Sequence, residues 1–187
     1  DICFKPFLKN LGRAWLMLML APLISIHAYD TENPTKYDIE RENAKMEGVG
    51  LDLGKKGEMV DLNTLFTNEA GELKPLGSYF KNGKPIALSI VYYMCPSLCS
   101  LHMNGFTAAL KDLDLKAGTD FQWVAVSMDH KETHDLAAEK KENYIDAFDK
   151  KDEARLGWNF LVGTEASIKE LTDQIGFSFK WDAESDM

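Results

Sequence analysis

No basic stripe runs through this sequence. Lysine and arginine number 21 against 30 acidic residues, a formal net charge of −9. Such a chain has nothing with which to displace counterions from a phosphate backbone, so nucleic acid is excluded as a partner, and the charge serves solubility. No internal repeat is visible, which sets aside solenoid and propeller arrays. The apolar run at residues 14–26 is only about a dozen residues long, short for a membrane span. Cysteine is scarce: three residues in 187, of which Cys3 precedes that run. Downstream there remain only Cys95 and Cys99. In an oxidising compartment two such neighbours either pair or are held by a metal.

What is present is enough for one domain with a core, at 187 residues and 45% apolar content. Lys5, Lys9 and Arg13 form a basic region ahead of the apolar run, and Ala28 is a small residue before a cleavage point. Residues 1–28 therefore read as a signal peptide or an uncleaved N-terminal anchor, and either places the remainder outside the cytoplasm, in the periplasm or exported. Residues 29–45 are polar and read as a linker, and residues 46–187 as the domain. The opening on Asp1 and the close at Met187 read as trimming.

Within the domain, Leu62, Leu65 and Phe66 are separated from Leu73 by a turn at residues 67–72, which predicts a strand or hairpin. Residues 86–93 (IALSIVYY) form a nearly continuous apolar run rich in β-formers, the pattern of a strand buried on both faces. Pro96 suits a first helical turn. A helix fits residues 97–113, with Leu98, Leu101, Phe106, Ala109, Leu110 and Leu113 near one face. Residues 121–128 (FQWVAVSM) predict a second strand, completing a βαβ unit. Thr133 caps a helix to residue 148, with Leu136, Ala137, Tyr144 and Phe148 inward. Residues 158–162 predict a strand, and Thr164 caps a helix that ends at Gly176. Phe177, Phe179 and Trp181 alternate with polar residues and predict a final strand. The alternation of strand and helix indicates an α/β domain.

Cys95 and Cys99 stand at the end of a predicted strand and the start of a predicted helix. An α/β sheet places its site at the C-terminal ends of its strands. A helix N-terminus stabilises a thiolate. Spacing of four residues brings both sulfurs to one helical face. Two soft thiolates so placed suit Cu(I), and Zn(II) less selectively, or close into a disulfide. A purely structural staple gains most from a long loop, and this one closes almost none.

The segment Ile90-Val91-Tyr92-Tyr93-Met94-Cys95-Pro96-Ser97-Leu98-Cys99, followed by Leu101, Asn104 and Gly105, resembles the SCO/SenC family of copper proteins. The likeness continues through Val126-Ser127-Met128-Asp129, Ala137-Ala138-Glu139-Lys140-Lys141 with Tyr144, residues 157–163 and Ile175-Gly176-Phe177. The resemblance implies a thioredoxin-like fold, a central mixed sheet flanked by helices. It implies a copper-binding assembly factor that delivers copper to the binuclear copper centre of cytochrome c oxidase or reduces that centre's cysteines, whose partners are the copper-bearing subunit of that enzyme and other periplasmic copper chaperones or thioredoxin-like reductants. Copper would be held by Cys95, Cys99 and a distal histidine. That histidine is expected beyond Met187, together with the closing strand and helix, and the strand starting at Phe177 is expected to lack its partner.

The other soft or imidazole donors are weaker candidates. His27 belongs to the N-terminal segment. His102 shares neighbouring helix faces with both cysteines, and His130 and His134 have the i, i+4 spacing of a helical metal pair. Asp129 follows a strand end, and Met94 is a soft side chain beside Cys95. The alternative function is an exported thiol–disulfide oxidoreductase. Against it, the usual redox spacing is C-x-x-C, one residue shorter than here. A peroxiredoxin would want Thr where Tyr92 stands.

Overall fold

The computed structural model describes residues 46–80 and 83–181. The N-terminal apolar run, Cys3, His27 and the whole 29–45 segment lie outside the described residues. The described strands and helices all fall in one compact unit that runs from Gly48. In chain order they are β1 (Gly50–Leu51), β2 (Leu65–Asn68), β3 (Leu73–Pro75), β4 (Ile86–Val91), α1 (Leu98–Asp112), β5 (Gln122–Ser127), α2 (His134–Asp146), α3 (Lys151–Gly157), β6 (Trp158–Val162), α4 (Glu165–Ile175) and β7 (Phe177–Ser178). Among the described residues, no helix is long and apolar enough to cross a membrane.

Five strands form one mixed sheet in the order β3-β2-β6-β5-β4. β4, β5 and β6 are parallel, and β2 runs antiparallel to both β6 and β3. The alternation of side chains along β5 builds the two layers. Trp123 and Ala125 enter a cluster with Val91, Met103, Leu110, Ile145, Trp158 and Phe160. Val124 and Val126 enter the opposite cluster with Phe66, Leu76, Leu161, Ile168 and Leu171. Trp123 sits at the centre of the first cluster, edge-on to Trp158 at 4.9 Å and to Phe160 at 5.5 Å between ring centroids.

Local chemistry explains the boundaries. The β2–β3 turn closes on Asn68, whose Oδ1 accepts the N–H groups of Ala70 and Glu72 at 3.0 and 2.8 Å. Thr133 caps α2, accepting the Leu136 N–H at 3.3 Å. Thr164 and Ser167 form a reciprocal capping box on α4. Gly176 ends α4 at φ 71°, and a Cβ there would lie 2.6 Å from the Asp52 carbonyl oxygen, so only glycine fits.

Four expectations change. The run at 86–93 was read as a strand buried on both faces, yet β4 lies at the sheet edge and the fully buried strand is β5. The inward face of α1 is rotated: Met103, Thr107 and Leu110 are buried, whereas Leu98 and Leu101 are 74% and 69% exposed. The sheet lies under the Met103 face, and the apolar count alone did not distinguish the two stripes. α3 was not foreseen, because its sequence KDEARLG carries charge with little apolar periodicity. The strand at Phe177 has a partner: β7 pairs antiparallel with β1, Gly50 opposite Ser178 and Leu51 opposite Phe177.

Candidate metal and dithiol site

β4 ends at Val91, and the chain turns at once. The Cys95 N–H donates to the Tyr92 carbonyl at 3.1 Å, closing a tight turn. Pro96 follows, and α1 begins at Leu98, one residue after the expected start at Ser97; Ser97 is its N-cap but makes no side-chain capping bond. The Ser100 hydroxyl donates to the Cys95 carbonyl at 3.0 Å, tying the turn to the helix. The Tyr92 N–H donates to Cys99 Sγ at 3.4 Å. Both cysteines are free thiols of intermediate exposure.

The two sulfurs are electrostatically unequal. Burial pushes the Cys95 thiol up, but N–H donors of Cys99, Ser97 and Leu98 at the helix start, with the Cys99 side chain, outweigh it and hold Cys95 below the ordinary thiol range. Cys99 is raised, first by burial; the Tyr92 N–H opposes this, while the neighbouring Cys95 and the charge of Glu132 add to it. The pair therefore interacts through its own sulfurs, and a proton leaves Cys95 more readily than Cys99.

Behind the turn, Tyr93 is buried, its ring stacked on Phe160 at 5.7 Å and its hydroxyl 3.0 Å from the carbonyl oxygens of both Ala125 and Leu161. Burial holds that phenol well above its usual range. Tyr144, from α2, packs against the same core cluster as Cys99; burial raises its phenol, the Ser100 side chain opposes this, and the charge of Cys99 adds to it. Glu132, one residue before the α2 cap, reaches back to the turn. Its carboxylate accepts the N–H groups of Tyr93 and Met94 and the Ser127 hydroxyl.

The remaining candidates lie apart from this arrangement. His102 is exposed, its Nε2 3.3 Å from Ser89 Oγ. His134 is exposed beside Asp135 at 3.4 Å. His130 lines a cavity of about 560 Å³ with Met128, Ile168, Phe177, Phe179 and Trp181, and neither cysteine borders it. Asp129 is buried, and its carboxylate accepts the Lys131 N–H at 2.9 Å. Met94 is 57% exposed beside Cys95. Among the described residues, no three His, Cys, Asp or Glu side chains gather closely enough to hold a metal. The site is thus two thiols and the scaffold of their turn. Glu132 and Tyr144 escaped the sequence reading as site residues. Glu132 stood among charges that read as a solvated loop start, and only the adjacency of β4 and β5 brings it to the cysteine turn.

The family model for SCO1/SenC matches residues 63–186. The chain belongs to the SCO1/SenC family. No curated protein matches it. Among solved structures, a candidate electron transfer protein from Aquifex aeolicus VF5 is 25% identical, with a TM-score of 0.57 over 68% of this chain and 70% of that one. Arabidopsis thaliana ScoI, solved with copper bound, is 20% identical, with a TM-score of 0.48 over 65% of this chain and 70% of its own. BsSco, a member of the Sco family of cytochrome c oxidase assembly proteins in which a disulfide switch has been identified, is 20% identical, with a TM-score of 0.47 over 66% and 67%. The mixed sheet of this SCO1/SenC protein, flanked by its four helices, is thioredoxin-like.

Proposed function

We propose that this SCO1/SenC protein binds Cu(I) as cargo through Cys95 and Cys99 and serves, outside the cytoplasm, in assembly of the binuclear copper centre of cytochrome c oxidase. The observation that carries the reading is the convergence of two unequal thiols on one tight turn at a helix start. Soft thiolates select Cu(I) over harder cations, and backbone N–H donors lower the cost of releasing the Cys95 proton. The donor set fits a two-coordinate thiolate site with room for a third ligand. We assign that ligand to a histidine beyond Met187, as the family resemblance implies. The partner is then the copper-bearing oxidase subunit. The basic and apolar segment at residues 1–28 supports export, by cleaved signal or retained anchor.

A second reading, thiol–disulfide exchange with a partner's cysteines, is favoured by the same inequality. A low-pKa Cys95 would attack and Cys99 would resolve the mixed disulfide. Anaerobic Cu(I) titration separates the two. The chain should develop an ultraviolet thiolate-to-copper charge-transfer band that saturates at one equivalent and is abolished in Cys95→Ser and Cys99→Ser. Turnover in insulin reduction without such a band would favour the oxidoreductase. A wild-type titration indistinguishable from the double serine variant would sink the copper reading.

A further inference from the structure

We infer that Glu132 is a positioning residue for the dithiol: its carboxylate clamps the turn that presents Cys95 and Cys99 and so sets how readily they pair. The inference rests on the dithiol reading above. Glu132 Oε2 accepts the Tyr93 N–H at 3.0 Å and the Ser127 hydroxyl at 2.5 Å, while Oε1 accepts the Met94 N–H at 2.8 Å. Three donors on one half-buried carboxylate is more than a loop start requires. Two of them are the successive amides of Tyr93 and Met94, past the end of the β4–β5 ladder at Val91. The third comes from the last residue of β5. Glu132 thereby ties the C-terminal ends of two adjacent parallel strands together at the point where the cysteine turn departs.

Position matters here because the clamped amides adjoin the groups that hold the sulfurs. Tyr92 supplies both the N–H that reaches Cys99 Sγ and the carbonyl that receives the Cys95 N–H. Fixing Tyr93 and Met94 therefore fixes both anchors. A fixed turn raises the effective concentration of one thiol at the other, which favours the disulfide. The carboxylate charge acts in the same direction: it repels a thiolate in the reduced state and has no anionic sulfur to repel in the oxidised one. A glutamine retains the shape but offers one acceptor oxygen, and its NH2 group would face an N–H donor.

The step is a two-electron exchange. The Cys95 and Cys99 thiols lose two protons and two electrons to form one S–S bond, and glutathione disulfide accepts them to become two glutathione thiols. The 187-residue chain is equilibrated with graded mixtures of reduced and oxidised glutathione, acid-quenched, and its thiols counted by mass spectrometry. Glu132→Gln should lower the oxidised-to-reduced ratio at fixed glutathione about tenfold, which corresponds to about 30 mV. Glu132→Asp keeps the charge but is one methylene short of both amides, and should move the ratio the same way. Glu69→Gln is the structural control: Glu69, just after β2 and three places from β4 in the sheet order, pairs with Lys141 and accepts the Phe160 N–H at 3.2 Å rather than any amide of the turn. It should cost stability without moving the ratio. A wild-type ratio in Glu132→Gln overturns the inference. So does a wild-type ratio in Glu132→Asp, since charge alone would then act, and so does an equal shift in Glu69→Gln. Circular dichroism checks folding; should both Glu132 variants unfold, the residue is a folding determinant and the inference fails. A wild-type chain that forms no Cys95–Cys99 disulfide at any ratio removes the dithiol reading itself.

Discussion

At the scale of single residues, the environment makes two chemically identical side chains different. Cys95 meets the open N-terminal amides of α1, where a developing negative charge finds donors already in place. Cys99, one turn on, is packed against the core cluster, where burial disfavours charge. In the reduced protein Cys95 therefore gives up its proton before Cys99. Because alkylation proceeds through the thiolate, a limiting dose of iodoacetamide should label Cys95 first. Its rate should rise with pH and level off below the range of an ordinary cysteine, since a lowered pKa completes ionisation earlier. Peptide mapping by mass spectrometry reads the order directly. Equal labelling of both sites, or preference for Cys99, would remove the electrostatic basis of the site.

At the scale of elements, α1 shows what periodicity carries and what it leaves open. Its existence, near-correct ends and start within the cysteine motif were legible, because a strand-like run meets a helical run there. Its orientation was not. The helix has two apolar stripes, Leu98-Leu101 and Met103-Phe106-Leu110, and only contact with the sheet decides which is covered. In the same way Thr133 and Thr164 announced their helices through cap chemistry and Gly176 announced a stop, whereas α3 had neither a periodic stripe nor a side-chain cap. The motif cysteines were legible because their spacing is local. Glu132 was not, because its role arises from two strands, separated in sequence, lying side by side. The rotated face can be checked by mutation. Met103→Ala should cost about 2–5 kcal/mol in denaturant unfolding, since Met103 is 2% exposed and leaves a cavity. Leu101→Glu, on the open face, should change stability by about 0.5 kcal/mol or less. The reverse ranking would restore the sequence-based orientation.

At the scale of the whole molecule, the two edges of the sheet are built differently. β3 is three residues long and contains Lys74 and Pro75, a charge and a missing N–H, both of which discourage pairing with another chain. β4 is twice that length, IALSIV, with no charge and no proline, and among the described residues it pairs only with β5. Beside it, the outward stripe of α1 presents Leu98 and Leu101, and nothing lies within 4 Å of where a Cβ would stand on Gly105. From residue 85 to residue 110 the chain carries no lysine, arginine, aspartate or glutamate, in a molecule whose net charge is −9. Self-repulsion therefore protects every face of this domain better than this one. An apolar edge of six residues with unpaired backbone groups is a template for strand addition. The 187-residue chain is accordingly expected to self-associate through β4 as its concentration rises, detected as a growing weight-average mass in sedimentation velocity. Leu88, 36% exposed on that strand, is the place to interrupt it. Leu88→Lys adds a charge that a second strand would have to desolvate, so it should shift association to higher concentration while leaving the Cu(I)-thiolate band intact. Lys74→Leu, on the guarded edge, should have little effect, because Pro75 still withholds its donor. If Leu88→Lys associates like the wild type, β4 is not the edge through which these molecules meet.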